Sequence, residues 1–136
     1  SSAASDVHKR QGLFLSGKSK QISYASQVWL ILGGAVSQEE GLKILHNVAE
    51  YEDAIDMVTP YMHHYYIEAL ISCGAMDEAL DVMRKYWGGM AKLGADTFWE
   101  LYNPKNPDES PYGGTIVNSY CHAWSCAPAY FLRKYF

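Results

Sequence analysis

The stretch that decides the fold is Thr59–Met90, TPYMHHYYIEALISCGAMDEALDVMRKYWGGM. Thr59-Pro60 reads as an N-cap followed by proline in the first helical position. Met62, Tyr65, Tyr66, Ala69, Leu70 and Cys73 then recur at helical spacing, and Gly74 sits where a helix ends. A second stripe of Met76, Ala79, Leu80, Met83, Trp87 and Met90 runs over four turns and fades at Gly94. Two apolar stripes joined by a glycine corner predict an αα-hairpin.

Working upstream, Ala25, Val28, Trp29, Leu32, Ala35 and Val36 follow the same template. Leu30 and Ile31 widen that stripe, so this helix is expected to be buried on two sides. Ser37 followed by Glu40 fits a capping box that starts another helix through Ile44, Leu45, Val48 and Tyr51. Gly34-Ala35-Val36 and Gly74-Ala75-Met76 occupy equivalent corners, which makes a weak hairpin repeat of about 40 residues. Residues 1–20 show little periodicity and read as an irregular N-terminal segment.

Downstream of Gly94 the character changes. Asp96–Tyr102 is short and aromatic, and fits a turn, a strand or a broken helix. Asn103–Gly114 holds three prolines with Asn, Asp and two glycines, so it reads as a long loop before the last helix. Ser119–Tyr135 is amphipathic, and Pro128 either kinks it or begins its second half.

Composition narrows the class. The chain has 136 residues, 49% apolar and 19% charged, with a net charge of −4, which excludes a disordered tail. Without a Lys/Arg run, an acidic chain is not expected to bind nucleic acid or an anionic membrane. The longest apolar run, Val28–Val36, is about half of the ~20 residues a membrane span needs. No signal peptide and no initiator Met open the chain, which reads as a soluble piece, processed or cut from something longer. Three cysteines cannot complete a disulfide framework. Cys121 and Cys126 are ~500° apart on a helix and poorly placed to bridge, and the three read as buried free thiols, the usual state of an unpaired cysteine. None of the zinc spacings occurs, and neither a metal nor a cofactor is expected.

Aromatic residues are 14% of the chain, and they concentrate in Tyr86–Tyr102, YWGGMAKLGADTFWELY. Aromatic faces beside Asp96 and Glu100 suit a sugar: its C–H faces pack on rings while carboxylates bind hydroxyls or move protons. Apolar surroundings would raise such a carboxylate's pKa. The same residues also suit a packed core with Glu100 as a surface charge. His122, between Tyr120 and Trp124, fits a sugar-contacting imidazole or a structural one. His63 and His64 read as solvated or hairpin-packing.

At this point WGGMAKLGADTFWELYNP and SYCHAWSCAPAYFL together resemble the C-terminal part of the catalytic domain of α-L-rhamnosidases, glycoside hydrolase family 78. QISYASQVWLILGG and TPYMHHYYIEALISCGAMDEAL are similar to the hairpins before that motif. The resemblance implies an all-α fold in which residues 21–136 form antiparallel αα-hairpins, part of an (α/α)6 barrel. It also implies hydrolysis of terminal α-L-rhamnosides with inversion. Glu100 then matches the general base and His122 a sugar-contacting histidine, whereas the general acid belongs to earlier hairpins that this chain lacks. Asp96 departs from the pattern, where Thr is more usual, and could tune Glu100 if both face the pocket. Rhamnose carries a methyl group that favours an aromatic wall, for which Trp99, Trp124 and Tyr120 are candidates. A rhamnose-containing oligosaccharide or glycoside is the implied partner. A ring cut open would expose apolar surface and self-associate. The other reading of the hairpins is a non-catalytic, tetratricopeptide-like scaffold, whose repeat would be 34 residues long.

Overall fold

The computed structural model describes residues 9–114 and 118–136. Its order is β1 (Lys9–Arg10), β2 (Leu13–Phe14), α1 (Tyr24–Leu32), α2 (Gln38–Glu50), α3 (Pro60–Ser72), α4 (Met76–Lys92), a 3-10 turn (Ala123–Ser125) and α5 (Ala127–Tyr135). The protein is mostly helical, with α1–α2 and α3–α4 as successive hairpins and α1 against α3.

Local chemistry sets most of the helix ends. The side chains of Ser23, Ser37 and Thr59 accept from the backbone N–H of Ser26, Glu40 and Met62, capping α1, α2 and α3. The capping box of α2 is half made, because the Glu40 carboxylate turns away to pair with Lys9. At both hairpin corners glycine is required by the backbone: φ is +76° at Gly34 and +81° at Gly74. Each corner closes in the same way, with Gly34 N–H donating to Ile31 O and Ala35 N–H to Leu30 O. Gly74 and Ala75 repeat this on Ile71 and Leu70, and Gly94 and Ala95 on Ala91 and Met90, which ends α4. The glycines therefore stop α1 at Leu32, and Ala35 and Val36 fall in the corner rather than on its stripe.

Burial departs from the expected faces in two places. In α1, Val28 and Ile31 are buried but Trp29 is 44% exposed, so only one side of this helix is covered. In α3 the most buried side chains include His63 and Ile67 beside Ala69 and Leu70, while Met62, Tyr65 and Tyr66 are partly covered. The cause is position: α3 touches α1, α2, α4, the 3-10 turn and α5, so no single stripe describes it.

The expected irregular start contains the small β1–β2 hairpin, and Leu13 and Phe14 enter the core; residues 1–8 lie outside the described residues. Gln27 of α1 secures this hairpin. Its amide accepts from Phe14 N–H at 2.9 Å and donates to Phe14 O at 2.9 Å, fully buried. A glutamine reads as a solvent residue in sequence, and only the unpaired edge of β2 explains its place inside.

Candidate functional site

The segments after α4 and before α5 lie side by side without forming regular strands. Glu100 N–H donates to Ser119 O at 2.8 Å, and His122 N–H donates to Phe98 O at 3.0 Å. Side chains lock the pairing: Thr97 donates to Tyr120 O and Ser125 to Trp99 O, while the Trp124 indole donates to Glu100 O at 3.0 Å. The hairpins hold this platform through the indole of Trp87, which donates to Ser125 O at 2.8 Å, and the hydroxyl of Tyr86, which donates to Tyr102 O at 2.8 Å. Gly89 lets Tyr102 approach; a Cβ there would stand 2.5 Å from the tyrosine oxygen. Of the readings open for Asp96–Tyr102, a non-helical turn-like segment is the one found, and Pro128 lies in the first turn of α5.

Glu100 is the most constrained carboxylate of this region. Its Oε2 accepts from Ser119 N–H at 3.0 Å and its Oε1 from the Tyr112 hydroxyl at 3.0 Å. The Ser119 hydrogen bond, then the Tyr112 hydrogen bond, then the nearby His122 hold its carboxyl below the ordinary glutamate range, against a small opposing effect of burial. This corrects the expectation that apolar surroundings raise its pKa: the two hydrogen-bond donors outweigh burial. Asp96 is not among the groups acting on it.

His122 caps the 3-10 turn, its Nδ1 accepting from Trp124 N–H at 3.3 Å, which leaves Nε2 to carry the proton in the neutral ring. Its ring lies 4.3 Å from that of Trp124, which in turn lies 5.7 Å from Tyr61. The six residues singled out in the sequence are distributed around this platform. Asp96 and His122 line one groove of about 560 Å³ with Phe98, Cys121 and Cys126. Trp99 and Tyr120, with ring centroids 5.5 Å apart, line a second groove of about 270 Å³. Trp124 faces a third with Tyr61, His64, Tyr65 and Tyr130. Glu100 is joined to them through the Trp124 indole on its backbone oxygen and through Ser119 on its carboxylate.

Only Cys73 is buried; Cys121 and Cys126 are exposed free thiols, contrary to expectation. Free cysteines are usually buried, but these two flank the short 3-10 turn, where the backbone at His122 is extended. Tyr112 and Ser119 went unnoticed in sequence. The one signal that could have found Tyr112 is an aromatic residue in a proline- and glycine-rich loop, and Ser119 acts through its backbone, which leaves no signal. Among the described residues, no group of three or more His, Cys, Asp or Glu side chains is placed to hold a metal ion.

The class defined by these features is a segment of a helical-hairpin barrel whose aromatic, loop-built end holds one ordered carboxylate. Comparison with solved structures takes this further. A rhamnosidase from Klebsiella oxytoca with rhamnose bound matches 98% of this chain at 46% identity and a TM-score of 0.92. A family GH78 rhamnosidase of Bacillus sp. GL1 matches 94% of it at 27% identity and a TM-score of 0.76. The chain spans 26% and 14% of those two proteins respectively. Neither a family model nor a curated protein matches. Over nearly its whole length, the chain resembles part of a family 78 rhamnosidase.

Proposed function

We propose that this chain is the part of an inverting α-L-rhamnosidase that supplies the general base. The observation that supports this most is the 46% identity, across 98% of the chain, to a rhamnosidase with rhamnose bound. In this reading Glu100 takes a proton from water while the water oxygen attacks the anomeric carbon. A carboxylic acid elsewhere in the enzyme protonates the departing oxygen from the opposite face. Inversion needs the two carboxyls ~6.5–9.5 Å apart, a span that different hairpins of a ring can set. An ionised Glu100 with one donor on each oxygen suits a base that must not arrive protonated. His122, Asp96, Trp99, Tyr120 and Trp124 are assigned to the sugar: the imidazole and Asp96 to its hydroxyls, the rings to its C–H faces and methyl group.

The deciding test is Glu100→Gln in the full-length enzyme carrying this segment. Glutamine keeps the shape and cannot accept the proton, so kcat should fall ~10²–10⁴-fold with KM little changed. Azide, which needs no deprotonation, should restore part of the turnover as a β-rhamnosyl azide. Near-full kcat in the variant would remove Glu100 from the role. The 136-residue chain alone should not release p-nitrophenol from its α-L-rhamnoside, because it lacks the acid. Exposed Trp29, Tyr61, Tyr130 and Leu132 support self-association of that chain. Sedimentation velocity that finds only monomer at high concentration would reject it.

A further inference from the structure

Tyr112 is 55% exposed, so burial does not fix it, yet its hydroxyl meets Glu100 Oε1 at 3.0 Å. What fixes it is a polar stitch across the loop. Tyr112 N–H donates to Ser110 Oγ at 3.3 Å, and Ser110 Oγ donates to Asn118 Oδ1 at 2.9 Å. The Asn118 amide also donates to Glu109 O at 3.5 Å, and the Glu109 carboxylate accepts from Asn103. The residue after Asn118 is Ser119, whose N–H holds the other Glu100 oxygen. The two donors to Glu100 therefore emerge from opposite sides of one stitched junction.

We propose that Tyr112 is a positioning residue for Glu100, with Ser110 and Asn118 holding the loop from which it acts. This rests on the reading of Glu100 as general base. A carboxylate oxygen has two lone pairs, so a single donor on each leaves one free for the reacting water. Tyr112 thus fixes the direction of the free lone pair without occupying it. It also favours the ionised carboxylate, and that negative charge in turn holds the Tyr112 hydroxyl protonated, as a donor must be. The proton taken from water goes to Glu100; Tyr112 keeps its own throughout.

The test titrates the Glu100 side-chain carbon by NMR in the 136-residue chain labelled with ¹³C-glutamate, assigned by its loss in Glu100→Gln. Tyr112→Phe should raise the Glu100 midpoint while the amide spectrum elsewhere stays as in the parent. Ser110→Ala, which frees the loop but keeps the tyrosine, should raise it less. In the full-length enzyme Tyr112→Phe should lower kcat by up to about 100-fold at nearly constant KM and move the acid limb of the kcat profile upward. An unchanged midpoint overturns the proposal, and so does a moved midpoint with kcat and acid limb intact. Failure of the underlying reading looks different: the midpoint still moves, but Glu100→Gln keeps its turnover.

Discussion

The two hairpins and the platform after them satisfy their polar groups in opposite ways. Between Tyr24 and Lys92 most helix ends close on neighbours in sequence: serine and threonine caps three residues away, Gly-Ala corners three and five. Between Asp96 and Ser125 the partners are distant. Ser125 bonds Trp99, Thr97 bonds Tyr120, and Trp87 of α4 bonds Ser125 across 38 residues. A locally closed element has its end groups satisfied wherever it is placed, although its stability still comes from packing, while a platform built from long-range bonds holds its shape only once the hairpins position it. This division leaves the scaffold to carry most of the stability, and under the proposed function the platform to carry the chemistry.

The largest effect expected from this contrast is in the scaffold. Phe131 of α5 is fully buried, its ring 4.7 Å from His64 of α3, and Phe131→Ala should cost roughly 3–5 kcal/mol in urea unfolding. Glu100→Gln, on the platform, should leave stability almost unchanged while removing turnover. Equal destabilisation by the two would dissolve the distinction.

A smaller effect separates the regions by pH. His63 is buried in the α3–α4 contact, its ring stacked 3.6 Å from Tyr86 and its Nδ1–H donating to Thr59 O. Burial pushes its pKa down to about 4, with the Thr59 bond and Asp56 opposing. The unfolded chain then binds more protons than the folded one below the ordinary histidine pKa. Stability is therefore full above that value and is lost as pH falls toward about 4, by up to about 3 kcal/mol. His64, half-buried, is shifted the same way and adds to the slope. Chemical denaturation at successive pH values should show the loss, and His63→Phe should flatten it. A parallel slope in both proteins would assign the loss to other groups.

Much of the scaffold was legible because its determinants are local: Thr59-Pro60, Ser37 and the Gly-Ala corners each act within a turn. Gln27 was not legible, because its burial follows from the edge of β2 across the fold, and of the two readings open for His63 the hairpin-packing one holds, decided by the face of Tyr86. On the platform the residue types at Glu100 and His122 drew notice. Their partners did not, since Ser119 contributes a backbone N–H and Tyr112 arrives from a loop. The wrong expectation for Cys121 and Cys126 came from the usual burial of free cysteine, which does not hold at the ends of a short surface turn.

Glycine substitutions sharpen the comparison at about 1–2 kcal/mol. Gly74→Ala places a side chain at φ +81° and should cost roughly that much, although nothing crowds its Cβ. Gly88→Ala, inside α4 with open space around it, should instead stabilise by about 0.5–1 kcal/mol. Opposite signs in thermal unfolding are expected; the same sign would mean that the corner is not under backbone control.

The smallest effect concerns Asp96. Four residues before Glu100, it would be an adjacent carboxylate on a helix, at ~5–6 Å between Cβ atoms. In a non-helical segment four residues span up to ~13 Å, beyond the ~8–10 Å over which exposed charges interact at physiological salt. Asp96 instead lines the groove beside His122, and Glu100 answers to Ser119 and Tyr112. Asp96→Asn should therefore leave the acid limb of the kcat profile where it is and act on KM through the sugar hydroxyls. A shift of the acid limb as large as that from Tyr112→Phe would restore Asp96 as the group that tunes the base. Loss of kcat in Asp96→Asn, with Glu100→Gln still active, would exchange the two roles altogether.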